Sequence, residues 1–242
     1  MLKSIGLKPL VSRYRDHDIR QWPAWLGAAC DIKLPRRTVP HLQPAPNGSA
    51  NINIIFELVN RTSAVDGDIA ECGVFRGETL IPIALYAGQR NLSKHVWGLD
   101  SFEGFGRQIA ADLPMGGAPD ATKTTTGFSR TSLSYVSKKI QIFELESQVT
   151  LRKGYFQDSL PSLSGRRFSF VHLDCDLYES YRLCLEFFYP RMSKGGIILL
   201  DEYNDPPWPG CNKAADEFLA DKPERLTEIM RDNYLKYYIC TR

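Results

Sequence analysis

The sequence predicts an α/β fold: a mostly parallel, twisted sheet with helices on both faces. Three observations carry that prediction. Short apolar runs over residues 69–72, 95–100, 149–153, 168–174 and 196–201 alternate with segments of helical periodicity. Several of those runs end in an acid. The first is followed by a glycine turn and then a helix-forming stretch, the order of a βαβ nucleotide site.

The elements follow in order. Ile52, Ile55, Phe56 and Val59 repeat at helical spacing, which predicts a helix over 51–64, and Asp66-Gly67 turns into the first strand. The next helix spans 79–87, with Pro82 in its first turn. After the second strand, residues 103–130 are rich in Gly, Thr and Pro and lack periodicity; a loop of that length is usually functional. A helix over 132–143 precedes the third strand, a helix over 178–188 follows the fourth and a helix over 211–220 follows the fifth. Ile229 and residues 235–240 supply a closing pair of strands. Residues 1–50, broken by Pro23, Pro35, Pro40, Pro44 and Pro46, read as an irregular arm, and 51–242 as one domain. With residues 103–130, that arm is expected to form a lid over the acceptor.

Composition narrows the class. The 242 residues carry a net charge of +2, with 43% hydrophobic and 24% charged residues, ordinary for a globular protein. No basic block or aromatic-interleaved basic stripe favours nucleic acid. No apolar run reaches the roughly 18 to 20 residues of a membrane span, and the N-terminus lacks a signal-peptide core, so a cytoplasmic protein is expected. The six cysteines are scattered with no C-x-x-C pair and read as reduced, mostly buried thiols.

The turn Glu71-Cys72-Gly73-Val74-Phe75-Arg76-Gly77 is Glu-x-Gly-x-x-x-Gly, and no lysine follows its glycines. Glu71 would repel a pyrophosphate and accept a cationic amino-acid tail. Asp100, ending the second strand with Ser101 beside it, suits the two hydroxyls of a ribose. The ligand expected is S-adenosylmethionine (SAM), which carries a ribose, an ammonium group and a sulfonium but no phosphate. Gly73 and Gly77 let the backbone approach it. Arg76 and Glu78 could meet the tail or form an exposed ion pair.

Four segments stand in the order seen in macrocin-type O-methyltransferases, which the chain resembles from about Asn51 to about Leu219: the glycine turn, Leu99-Asp100-Ser101-Phe102-Glu103-Gly104-Phe105, His172-Leu173-Asp174-Cys175-Asp176-Leu177-Tyr178-Glu179-Ser180 and Gly195-Gly196-Ile197-Ile198-Leu199-Leu200-Asp201-Glu202-Tyr203. The resemblance implies a class I SAM-methyltransferase, Rossmann-like fold and Mg²⁺-assisted methyl transfer to a hydroxyl of a sugar or phenol in a natural product. It also implies dimers or larger assemblies. By resemblance, the turn Lys153-Gly154-Tyr155-Phe156-Gln157-Asp158 passes the adenine, with Asp158 near its amino group; a helix cap is the other reading of Asp158.

Asp174, Asp176, Asp201 and Glu202 end the fourth and fifth strands, and four carboxylates in one cleft need a cation. An oxygen-only set suits Mg²⁺. The resemblance assigns Asp176, Asp201 and Glu202 as ligands and leaves Asp174 nearer the methyl donor. Glu202 stands where the family usually has Asp, so it ligates directly or through water. The expected reaction is a direct displacement in which the metal lowers the pKa of the acceptor hydroxyl. Asp176 is the first candidate for the base and His172 the second, although a histidine inside a buried strand also reads as a satisfied core residue. Trp208 either walls the substrate pocket or caps the sheet. Two other classes remain: a metal-dependent glycosyltransferase using Asp174-Cys175-Asp176 as a D-x-D pair, and a non-catalytic SAM-binding module. A dehydrogenase ranks lower, since it would want the missing glycine pattern.

Overall fold

The computed structural model describes residues 49–106, 108–113, 128–231 and 233–242. Most of the predicted arm, and residues 107 and 114–127 of the predicted lid, lie outside the described residues. Seven strands form one sheet: β1 (Asp68–Cys72), β2 (Val96–Asp100), β3 (Val149–Lys153), β4 (Phe168–Leu173), β5 (Met192–Leu200), β6 (Leu226–Arg231) and β7 (Tyr234–Cys240). Their order is β3-β2-β1-β4-β5-β7-β6. The first five run parallel, and β7 pairs antiparallel with β5 and β6. The helices are α1 (Ser49–Arg61), α2 (Leu80–Gln89), α3 (Leu133–Ile142), α4 (Phe156–Ser159), α5 (Tyr178–Phe188) and α6 (Pro209–Leu219).

Strand alternation sorts the core into two layers. Ile69, Phe170, Ile197, Leu199 and Tyr238 pack under α1, α2 and α3. Ala70, Val171, Leu173, Ile198, Leu200 and Ile239 pack under α5 and α6. Local signals agree with the elements. Pro82 occupies the third residue of α2, where its missing N–H has no helical partner to lose. The Ser132 hydroxyl caps α3, accepting from the Tyr135 N–H at 3.1 Å. β5 begins four residues before the predicted run, at Met192, and Gly195 within it has φ 81°. No described helix is long and apolar enough to cross a membrane.

Reversal of the strand order between β1 and β4 opens a crevice at their carboxyl ends, where ligands bind in sheets of this kind. Gly73 follows β1 there with φ 97°, and a Cβ on it would stand 1.6 Å from the Asp174 carbonyl oxygen. Only glycine lets these two strand ends meet.

Candidate active site

A cleft of about 1020 Å³ runs along the carboxyl ends of the five parallel strands. Its walls include Gly73, Phe75, Asp100, Ser101, Gly154, Tyr155 and the four acids Asp174, Asp176, Asp201 and Glu202. Predicted site residues Glu71, Gly77, Asp158 and His172 do not line it. Asp158 is exposed within α4, whose N-cap is Tyr155.

The glycine turn is pinned from two sides. Asp100 Oδ2 accepts from the Phe75 N–H at 2.7 Å and its Oδ1 from the Phe102 N–H at 2.5 Å. Burial raises the Asp100 pKa, and these backbone hydrogen bonds oppose the rise. The carboxylate is thereby fixed at the rim with lone pairs left for a ligand. From α3 and the segment before it, Lys139 Nζ donates to the Arg76 carbonyl at 2.7 Å and the Thr131 hydroxyl donates to the Phe75 carbonyl.

Asp174, Asp176 and Glu202 can each bring a carboxylate oxygen within 4.8 Å of the others. Burial raises the Glu202 pKa well above its ordinary value, and Asp176 and Asp174 push it further. Tyr181, from α5, sets its hydroxyl 2.5 Å from Glu202 Oε2 and accepts from the Glu202 N–H at 3.1 Å. This grouping contains Asp174, where the resemblance expects Asp201. Both Asp201 oxygens already face cations, Oδ1 at 3.2 Å from His172 Nε2 and Oδ2 at 2.9 Å from Lys236 Nζ.

His172 is buried, with Nδ1 3.1 Å from Glu71 Oε1 and Nε2 against Asp201. Burial alone would lower its pKa, but the hydrogen bonds to Asp201 and Glu71 raise it to about 10. Both nitrogens donate to carboxylates, so the ring is an imidazolium at neutral pH with no lone pair for a substrate proton. Its geometry is that of the satisfied core histidine, not of the base. Glu71 likewise lies under the sheet's α1–α2 layer, where burial raises its pKa to about 7 against the opposing His172 hydrogen bond. Its Oε2 has no partner among the described residues.

On the open side of the cleft, four aromatic residues form a chain. Phe128 meets Phe75 at 5.2 Å and Phe105 at 5.1 Å, and Phe105 meets Trp208 at 5.7 Å, all edge-on. Phe128 is 46% exposed. The Phe105 segment is anchored by Asp112, whose Oδ1 accepts from the Tyr178 N–H opening α5 at 2.7 Å and whose Oδ2 accepts from the Ile109 N–H at 2.8 Å. Sequence reasoning missed Asp112, Tyr181 and Lys236. For Lys236 a signal existed, a lone cation at an inward position of a closing strand. Cys72, Cys175, Cys184 and Cys211 are buried free thiols behind the acids, and burial lifts Cys175 to about 11, which makes it inert as a nucleophile.

Sheet order, glycine turn and crevice together define the class: a Rossmann-like SAM-dependent methyltransferase. The O-methyltransferase NovP has the same fold, with a TM-score of 0.71 and 26% identity over 92% of this chain and 98% of that one. So has the calicheamicin methyltransferase CalS11, with a TM-score of 0.70 and 21% identity over 93% and 94%. Residues 47–234 match the family described as Macrocin-O-methyltransferase (TylF), and the chain belongs to that family. Among its relatives is the 8-demethyl-8-(2,3-dimethoxy-alpha-L-rhamnosyl)-tetracenomycin-C 4'-O-methyltransferase of Streptomyces olivaceus, 33% identical over 78% of this chain and 74% of that protein. Another is the mycinamicin III 3''-O-methyltransferase of Micromonospora griseorubida, 30% identical over 75% and 71%. The protein is a SAM-dependent O-methyltransferase acting on a small-molecule hydroxyl. That excludes the glycosyltransferase and binding-module readings of the sequence.

Proposed function

We propose that the acceptor hydroxyl belongs to a sugar or phenol of a natural product and that Mg²⁺ assists its methylation. The single observation behind the metal is the carboxylate set of Asp174, Asp176 and Glu202. Such a set fits a hard divalent cation: its donors are all oxygen, and burial together with neighbouring carboxylates disfavours ionisation of Asp174 and Glu202 in the absence of one. These three would hold the ion. Asp201 would stand behind them, engaged by His172 and Lys236. The sugar reading rests on the two relatives above, named for a rhamnosyl tetracenomycin and for mycinamicin, and on the aromatic chain, which offers ring faces to a sugar or an apolar ring.

Bound in the cleft, SAM supplies an electrophilic methyl group and Mg²⁺ the charge that lowers the hydroxyl pKa. The chain's own residues do the rest. Asp100 and the Gly73 turn hold the ribose, and Gly154 to Gln157 flank the base. Phe75, Phe105 and Trp208 exclude water from the acceptor side. Asp176, at the cleft wall, takes the hydroxyl proton. The barrier is lowered mainly by orientation, which can supply roughly 7 to 11 kcal/mol.

Calorimetric titration with S-adenosylhomocysteine, with Mg²⁺ and with EDTA, tests this reading alongside turnover of glycosylated and phenolic acceptors. Asp174→Asn and Asp176→Asn should abolish Mg²⁺-dependent turnover while donor affinity changes little. Turnover indifferent to EDTA in the wild type would remove the metal. Retention of Mg²⁺ dependence in Asp174→Asn, with its loss in Asp201→Asn, would return the third ligand to Asp201. Homo-oligomerisation, expected from the resemblance, is tested by light scattering on the eluted protein; a monomer mass would exclude it.

A further inference from the structure

α1 and α2 lie side by side on one face of the sheet. α2 starts at Leu80, directly after the glycine turn, so it begins at the carboxyl ends of the strands. α1 ends at Arg61, seven residues before β1 begins at the opposite edge, so its first turn also lies at the cleft. Asn51 sits in that first turn. It is 4% exposed, it lines the cleft together with Glu78 and Thr79 of the α2 start, and its carboxamide Oδ1 has no hydrogen-bond partner among the described residues.

A buried amide oxygen left without a donor costs free energy comparable to a lost hydrogen bond, so such an atom facing a cleft marks the place of a ligand N–H or O–H. The part of the donor that reaches this corner follows from the rest of the cleft. Asp100 ends β2 with Ser101 after it, and Gly154 and Tyr155 follow β3, on one side of Gly73; α1, which packs against β6 and β7, lies on the other. With the ribose at Asp100 and the base beside β3, the methionine end extends past Gly73 toward β4 and α1. Its α-ammonium is the donor group that a lone acceptor oxygen would take.

We infer that Asn51 binds the α-amino end of the methyl donor's amino-acid tail, so that the segment preceding β1 contributes directly to donor recognition. The inference rests on the donor reading of the cleft and adds to it a contact outside the glycine turn. It also assigns the oxygen, not the nitrogen, of the carboxamide to the ligand.

The test compares two ligands that share the adenosine moiety. S-adenosylhomocysteine carries the amino-acid tail; 5'-methylthioadenosine lacks it. Calorimetry on the full chain, as wild type, Asn51→Ala and Asn51→Leu, measures each affinity, with thermal melting as the check of folding. Both variants should weaken S-adenosylhomocysteine about 10-fold or more, the range of a hydrogen bond to a charged group, and leave 5'-methylthioadenosine within about 2-fold. Asn51→Leu keeps nearly the volume of the amide, so it answers if Asn51→Ala fails to fold. Equal losses for both ligands would make Asn51 merely structural and overturn the inference. So would unchanged S-adenosylhomocysteine binding accompanied by a raised acceptor KM, which would move Asn51 to the acceptor. Wild-type protein that binds neither ligand would remove the donor reading itself, and this contact with it; wild type binding both, with an indifferent variant, removes the contact alone.

Discussion

Lys236 sets its Nζ 2.9 Å from Asp201 Oδ2 and 2.5 Å from the Asp201 carbonyl oxygen, ending a buried run of alternating charge. From β1 to β7 the run is Glu71, His172, Asp201, Lys236, contributed by β1, β4, the residue directly after β5, and β7, in the order the sheet places them. Through Asp201, which itself lines the cleft, the ladder reaches the acids Asp174, Asp176 and Glu202. Removing one partner of a buried pair leaves an uncompensated charge, which costs about 3–5 kcal/mol. Lys236→Met is therefore expected to lower unfolding stability by about that much in urea titration. The double variant Lys236→Met/Asp201→Leu, which leaves no orphan carboxylate, should recover part of the loss. A single variant as stable as the wild type would show that Asp201 is not held by Lys236.

The ladder also sets a pH dependence. His172 has a folded pKa of about 10 against an ordinary 6.5. Its contribution is fully present below pH 6.5 and is lost as pH rises through about 10. Glu71 has a folded pKa of about 7 against 4.5, so the folded state holds its proton more tightly and stability falls between those values. Both shifts have the same sign, and stability declines across pH 6.5 to 10 with a slope of at most about 1.4 kcal/mol per pH unit for each titrating proton. Thermal melts at intervals across this range should show the decline, and His172→Gln should flatten it above pH 7. A wild-type curve that rises toward pH 10 would contradict the imidazolium assignment.

Parity along the strands explains which parts of this site could be read from the sequence. Apolar alternation and terminal acids mark the strands and the ligand edge, so Gly73, Asp100, Asp174, Asp176 and Glu202 fall where their spacing predicts. Glu71 looks equally available in the sequence. It is nevertheless one residue short of the strand end, and on the same face as Ile69, which points under α1 and α2. Its partner His172 lies directly opposite in register, a fact that requires knowing that β4 neighbours β1. The same holds for Asp201. Its availability to a metal depends on Lys236, from a strand whose place between β5 and β6 the sequence does not fix. Asp112 was illegible for a different reason: its partners are backbone N–H groups, and those leave no residue-type signature.

Two glycines of the same turn should respond differently to alanine. Gly73→Ala drives a methyl group to 1.6 Å from the Asp174 carbonyl oxygen, on backbone at φ 97°, so β1 and β4 must part. The expected result is a loss above about 4 kcal/mol, read as insoluble or molten protein without donor binding. Gly77 has φ 72°, and its added methyl would meet only the Ile81 and Val136 side chains at 3.2 Å. Gly77→Ala should cost about 1–3 kcal/mol of strain. Because Gly77 does not line the cleft, the surviving protein should bind S-adenosylhomocysteine almost normally. Donor affinity lost in the Gly77 variant at full stability would place Gly77 in direct contact with the ligand.

The aromatic chain separates acceptor from donor effects. Phe105 and Trp208 touch one another across the open side of the cleft, on segments that follow β2 and β5, and neither belongs to the glycine turn after β1. Trp208→Ala removes an aromatic face worth about 0.5–1.5 kcal/mol beyond its buried area. KM for the acceptor should therefore rise about 3- to 10-fold, with the S-adenosylhomocysteine affinity unchanged. Trp208→Phe keeps a ring in place and should restore most of the acceptor binding. Phe105 is buried where Phe128 and Trp208 converge, so Phe105→Ala should shift both neighbours and produce the larger KM change. Steady-state kinetics at saturating donor distinguishes the outcomes: a fall in kcat with constant KM in both variants would mean that the chain shapes the reacting geometry and does not bind the acceptor.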